Sequence, residues 1–322
     1  MSRSLKAHLL LLAATFVWGS TFIVIKSALA NASPLVFNAV RMVIAALILC
    51  IIFFRQLRQL PSGALRAGVE LGTLMWLGYE FQTAGLLYTT ASKSAFLTGI
   101  SVVLVPVLLR IFWHRHVNRF TQAGVAFAFI GLYFLCVPAA QGVSLATLSH
   151  APLSLATLNH AALGLFSLNR GDLLTLGCAL AFAFQIIVLG RSAQRYGFAQ
   201  LVPIEISSCA LWMLISIPIA DRHGFIRFTP TVMAALAVTA LLGTVACFIV
   251  QAWAQRFTPP THTALIFSLE PVFAGLTSYV VIGERLGFRA LLGAALILAG
   301  VLASELLGHV QQPEEELAAE AG

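Results

Sequence analysis

The chain has 322 residues, 59% of them hydrophobic and only 10% charged, with a net charge of +7 and a mean hydropathy of +0.92. Soluble domains carry about 25% charged residues, so this composition excludes a water-soluble globular fold and makes the lipid bilayer the missing solvent. The basic excess does not indicate nucleic-acid binding, because Lys and Arg lie in short segments between apolar runs rather than on one face.

A helix that crosses a bilayer needs about 20 apolar residues. In chain order the sequence offers ten such runs: 8–29, 34–54, 67–89, 91–112, 119–137, 171–190, 200–220, 231–254, 260–282 and 287–307. The first follows the basic stretch Met1–Lys6 and reads as a spanning helix rather than a cleaved signal. Backbone groups in lipid must be satisfied within the segment, and the runs do not alternate as barrel strands do, so an all-α integral membrane protein is expected. With the N-terminus in the cytoplasm, the first five runs place eight Lys/Arg inside against two outside, whereas the second five place three inside and five outside. The first half usually dominates, so both termini are expected on the cytoplasmic side.

Between the fifth and sixth runs, residues 138–170 form the long connector. It contains SLATL at 144–148 and again at 154–158, with His150 and His160 at equivalent places. Two lone histidines make a poor metal site, and the segment reads as an expanded linker. The tail 308–322 ends in QQPEEELAAEAG and reads as a solvated, disordered end. The five cysteines lie in or at the ends of apolar runs, with no CxxC pair and no metal spacing, and read as small buried side chains.

The two halves keep register. At an offset of 169, Gln82 falls on Gln251, Tyr88 on Phe257, Ala95 on Ala264, Gly124 on Gly293 and Gly131 on Gly300. At an offset of 164, residues 9–18 fall on 173–182. Each copy has five runs, an odd number, so the second must begin from the opposite side of the membrane. Inverted repeats of this kind are common in secondary transporters, with substrate sites near the midplane between the copies. The recurring glycines mark one face of the fifth helix of each unit, for support within the fold or for a homodimer contact.

Ionisable side chains deep in a span are costly and are functional candidates. Glu80 and Glu270 lie near the middles of the third and ninth runs, too deep to snorkel. Glu270 precedes Pro271, which removes one helical hydrogen bond and frees a carbonyl near Phe267; Pro106 gives the fourth run a comparable break. For Glu270 the choice is between a gating or binding element and a brace between helices. Glu80 either binds a cationic group or a proton, or pairs with Arg41 or Lys93. Gln82 and Gln251 suit a substrate or helix–helix hydrogen bonds equally. Trp18, Trp76, Tyr79 and Trp253 could line an aromatic cavity or pack against neighbours. Lys93 and His262 are equivalent, with interfacial solvation the simpler reading of both. No GxSxG, HExxH or Walker A sequence occurs, so no catalytic residues, metal, cofactor or ATP-driven step is expected.

The stretch 264–302 resembles the end of an EamA unit of the drug/metabolite transporter superfamily, through SLEPVFA at 268–274, IGERL at 282–286 and GAALILAG at 293–300. WGSTFIV at 18–24 is similar to the start of a first unit, and RGDLLTLGCALAFAF at 170–184 to the start of a second. The first half departs where the second has GERL, reading HRHV at 114–117, which leaves Glu284 without a counterpart. The resemblance implies ten transmembrane helices in two inverted five-helix EamA repeats, at 8–137 and 171–307, and a carrier for small organic metabolites or drugs, amino acids among the candidates. It also implies the cell (inner) membrane. The expected partners are the small-molecule substrate and the bilayer. The two units would rock around a midplane cavity; the alternative is a structural or sensory membrane protein that transports nothing.

Overall fold

The computed structural model describes residues 2–89, 91–115, 117–136, 169–283 and 287–307. The duplicated SLATL segment, Glu284 and the acidic tail lie outside the described residues. The regular structure among the described residues is helical: α1 (Arg3–Ala28), α2 (Pro34–Ile52), the single turn α3 (Phe54–Leu57), α4 (Ala64–Leu86), α5 (Ala91–Gly99), α6 (Ser101–Trp113), α7 (Arg119–Cys136), α8 (Arg170–Arg195), α9 (Phe198–Ala220), α10 (Pro230–Val238), a π-helical stretch (Thr239–Ala246), α11 (Cys247–Ala254), α12 (Pro260–Phe267), α13 (Glu270–Ile282) and α14 (Phe288–Leu307). Helix starts follow local chemistry. Pro34, Pro230 and Pro260 sit in first turns, where the missing N–H costs nothing. Asn169 and Asp172 close a reciprocal capping box on α8.

Eight helical stretches among the described residues are long and apolar enough to cross a membrane. α4 is not among them, because Glu70, Glu80 and Gln82 dilute its apolar run. It packs between α8 and α9, so protein rather than lipid covers much of it. α14 contributes a shorter apolar stretch, Phe288–Ser304. Large apolar side chains such as Ile51, Ile219 and Phe288 are exposed on the outer surface, as a bilayer requires.

The two runs expected to carry a proline break are both interrupted. α5 ends and α6 begins around Ile100, and α12 ends and α13 begins around Ser268 and Leu269. Pro271 lies in the first turn of α13, so its missing N–H falls at the break, next to Phe267 as expected. Pro106 behaves otherwise: it sits inside α6, and the interruption falls six residues earlier, where the sequence has no proline.

The glycine faces of α7 and α14 meet each other. A Cβ on Gly124 would lie 2.6 Å from the Gly300 carbonyl oxygen, and one on Gly131 would lie 2.6 Å from that of Gly293. These glycines therefore support the fold from within, and the homodimer contact weighed for them is not made through this face.

Candidate functional site

Glu270 begins α13 at the break and is only half-buried, although α1 packs closely over this point. Gly19 makes that approach possible: a Cβ there would lie 2.7 Å from the Glu270 carbonyl oxygen and 2.9 Å from the Ala274 nitrogen. The Glu270 carboxylate is within electrostatic reach of Tyr79 on α4, Cys178 on α8 and Cys247 on α11. It therefore faces the interior rather than lipid.

Aromatic rings surround this region. Trp18 on α1 lies 5.0 Å from Phe267 and 5.5 Å from Phe248, measured between ring centroids. Its indole Nε1 donates to the Gly243 carbonyl at 2.7 Å. That acceptor belongs to the π-helical stretch, whose wider turns release carbonyls from the regular ladder. Tyr79 lies edge-on to Phe182 at 5.7 Å, and the Arg41 guanidinium sits 5.3 Å from the Tyr79 ring. Arg41 is buried, with its Nε lacking a hydrogen-bond partner. Gln82 donates to Thr98 at 3.5 Å, and Thr98 contacts the Cys178 thiol at 3.8 Å. Glu270, Trp18, Tyr79 and Gln82 thus belong to one interior region built by α1, α4, α8 and the chain around both breaks.

The other candidates lie elsewhere. Glu80 accepts from Trp76 Nε1 at 3.2 Å and from Ser216 on α9, while Trp76 packs on Trp212 at 6.1 Å. Arg41, weighed as a partner for Glu80, does not supply these bonds, and the side chain of Lys93, also weighed, lies outside the described residues. Trp253 sits beside Lys6, whose Nζ is 5.5 Å from the ring, near the start of α1 and the end of α11. His262 is buried rather than solvated, stacked on His8 at 6.2 Å and 3.4 Å from Thr121 Oγ1.

Gln251 is 1% exposed and belongs to a buried polar chain that the sequence reading missed. Gln251 Nε2 donates to Gln185 Oε1 at 3.3 Å and to Gln255 Oε1 at 3.4 Å. Gln185 Nε2 donates to Glu205 Oε1 at 2.8 Å. Glu205 is fully buried on α9. The rule that flagged Glu80 and Glu270 applies equally to Glu205, which lies within the predicted run 200–220.

A model described as the EamA-like transporter family matches residues 5–137 and 169–305. An uncharacterized transporter of Archaeoglobus fulgidus is 33% identical over 307 residues, covering 93% of this chain and 86% of its own. The uncharacterized transporter YoaV of Bacillus subtilis is 22% identical over 299 residues, covering 92% of this chain and 95% of its own. A solved crystal structure superposes with a TM-score of 0.74 at 14% identity, covering 94% of this chain and 97% of the other. At that identity the likeness is one of fold.

Proposed function

The chain belongs to the EamA-like transporter family and is a membrane transporter, and from that premise we propose that it carries small organic solutes bearing a cationic group, by alternating access around Glu270. The observation that carries this reading is a half-buried carboxylate at a helix break in the protein interior, within electrostatic reach of Tyr79 and beside the α1 segment whose Trp18 packs on Phe248 and Phe267. Irregular backbone at membrane depth is tolerated where it is buried in protein or lines a polar cavity. Aromatic faces suit organic cations and flat solutes. Amino acids and amines both fall within this class, with Arg41 beside Tyr79 able to answer a carboxylate.

In the same reading, residues 8–137 and 171–307 are two five-helix repeats of opposite orientation, with ten spans once α4 and α14 are included. Several paired features support this. The offset of 164 carries Trp18 onto Phe182, and that of 169 carries Phe248 onto Tyr79; the Trp18–Phe248 and Tyr79–Phe182 contacts are 5.5 and 5.7 Å. The breaks at Ile100 and Leu269 are also 169 apart. Connectors pair on opposite sides: Ala32 bridges Ile226, while Tyr196 Oη donates to Ser62 at 3.2 Å. The side bearing Ser62 also carries the basic residues Arg3, Lys6, Arg55 and Arg58, which supports cytoplasmic termini in an inner membrane.

Counterflow in proteoliposomes tests the proposal, using pooled amino acids, nucleosides and aromatic amines. Saturable accumulation that Glu270→Gln abolishes, in protein that stays folded in detergent, is the expected result. Accumulation that survives Glu270→Gln unchanged would remove the carboxylate from the mechanism. Folded protein that accumulates no class would reject carriage of these solutes.

A further inference from the structure

The buried chain Glu205–Gln185–Gln251–Gln255 lies apart from the aromatic region and plays no part in the proposal above. Its amide orientations are fixed from both ends. Gln185 must turn its Nε2 toward the Glu205 carboxylate, so its Oε1 faces Gln251. Gln255 donates through Nε2 to the Ile186 carbonyl at 2.9 Å, so its Oε1 also faces Gln251. Gln251 therefore presents its Nε2 to both neighbours and turns its own Oε1 away. Two acceptors remain without hydrogen-bond partners, Glu205 Oε2 and Gln251 Oε1. Both belong to side chains bonded to Gln185.

Glu205 is 0% exposed, and Gln185, Gln251 and Gln255 are 3%, 1% and 1% exposed. An ionised carboxylate this deep is tolerated only with a counter-charge or a proton. The charged and titratable groups on the packed elements do not supply one. Arg41 on α2 sits against Tyr79, and Glu80 on α4 is bonded to Trp76 and Ser216; neither bonds Glu205, whose Oε1 meets Gln185 and whose Oε2 is unmet. Tyr79 of α4 is engaged with Arg41. A neutral water at Glu205 Oε2 would leave the charge uncompensated. The buried carboxylate is thus short of a positive charge, and a bound cation supplies it.

We propose that Glu205, Gln185 and Gln251 form a binding site for one monovalent cation, a proton or a sodium ion, held between α8, α9 and α11. As a proton site, Glu205 Oε2 carries the hydrogen and the carboxyl is neutral. As a sodium site, the carboxylate and the amide oxygens supply the hard oxygen ligands such an ion requires. Gln255 extends the polar chain toward the connector after α11, where Gln194 Nε2 donates to the Arg256 carbonyl at 3.0 Å. This end gives the cation a polar approach from the side bearing Ser62. Use of the site to drive transport rests on the carrier reading; binding of the cation does not.

Infrared difference spectroscopy on the purified protein in lipid tests the site without any substrate. In sodium-free choline buffer, an acid titration of the wild type should show a protonated-carboxyl C=O band that Glu205→Gln lacks. Replacing choline with sodium should move the midpoint of that band if sodium competes, and should leave it in place if the proton is the sole occupant. Gln251→Met, which retains length but removes the unpaired oxygen, should shift the midpoint with Glu205 intact, and it serves if Glu205→Gln fails to fold. Identical band sets in wild type and folded Glu205→Gln, or an unmoved midpoint in Gln251→Met, would overturn the proposal. Counterflow reads separately: an intact Glu205 band in protein that carries no solute keeps the site and rejects only its coupling role.

Discussion

Glu80 and Glu270 entered as equivalent candidates, two carboxylates deep in predicted spans, but their surroundings set them different tasks. Glu80 is held by Trp76 on its own helix and Ser216 on α9. A glutamine there keeps an oxygen for both donors, so Glu80→Gln should retain transport and lose less than about 1.5 kcal/mol of stability. Glu80→Leu strands both donors and should cost about 1–3 kcal/mol, read as a lower midpoint of thermal unfolding in detergent. Glu270, half-buried at the break, should instead lose counterflow while remaining folded. Trp18→Phe retains the ring packing but abandons the bond to Gly243, and should cost about 1 kcal/mol. The sequence could nominate these residues, because charge and size at membrane depth are visible in one dimension. It could also have nominated Glu205. It could not reveal which carboxylate is bonded, since Ser216 lies 136 residues from Glu80.

At the scale of elements, apolar run length located the helices well, for example 260–282 for the stretch that holds α12 and α13. Interruptions were less legible. Proline marked the break before Pro271 but misled at Pro106; the interruption at Ile100 instead follows Gly99, a poor helix former. The π-helical stretch at Thr239–Ala246 is hidden within the apolar run 231–254; its Gly243 carbonyl is occupied by a tryptophan from another helix. The glycine period on α7 and α14 was legible as a small-residue face, and its partner was not. Gly131→Ala puts a methyl group against the Gly293 carbonyl and the Ile297 backbone, and should destabilise by about 1–3 kcal/mol. Gly287→Ala, with nothing within 4 Å of the added carbon, should leave the unfolding midpoint unchanged.

For the whole molecule, the contacts between connectors sort them into two sides, and the basic residues favour the Ser62 side as cytoplasmic. In a variant stripped of its five cysteines, His223→Cys should react with a membrane-impermeant maleimide on intact cells, and Gln59→Cys should react only after lysis. The reverse pattern would place the termini outside. The sequence alone divided on this point, because its second half puts more basic residues outside than inside. The pairing of α7 with α14 has a further consequence, in time. Cys136 and Phe288 are separated by about 150 residues of chain, and synthesis at roughly 5–20 residues per second takes about 8–30 s to cover them. Throughout that interval the newborn α7 has no α14 to receive its glycine face. Biogenesis must therefore hold a half-made protein in the bilayer with its tightest seam open, and the seam closes only when the last helix arrives.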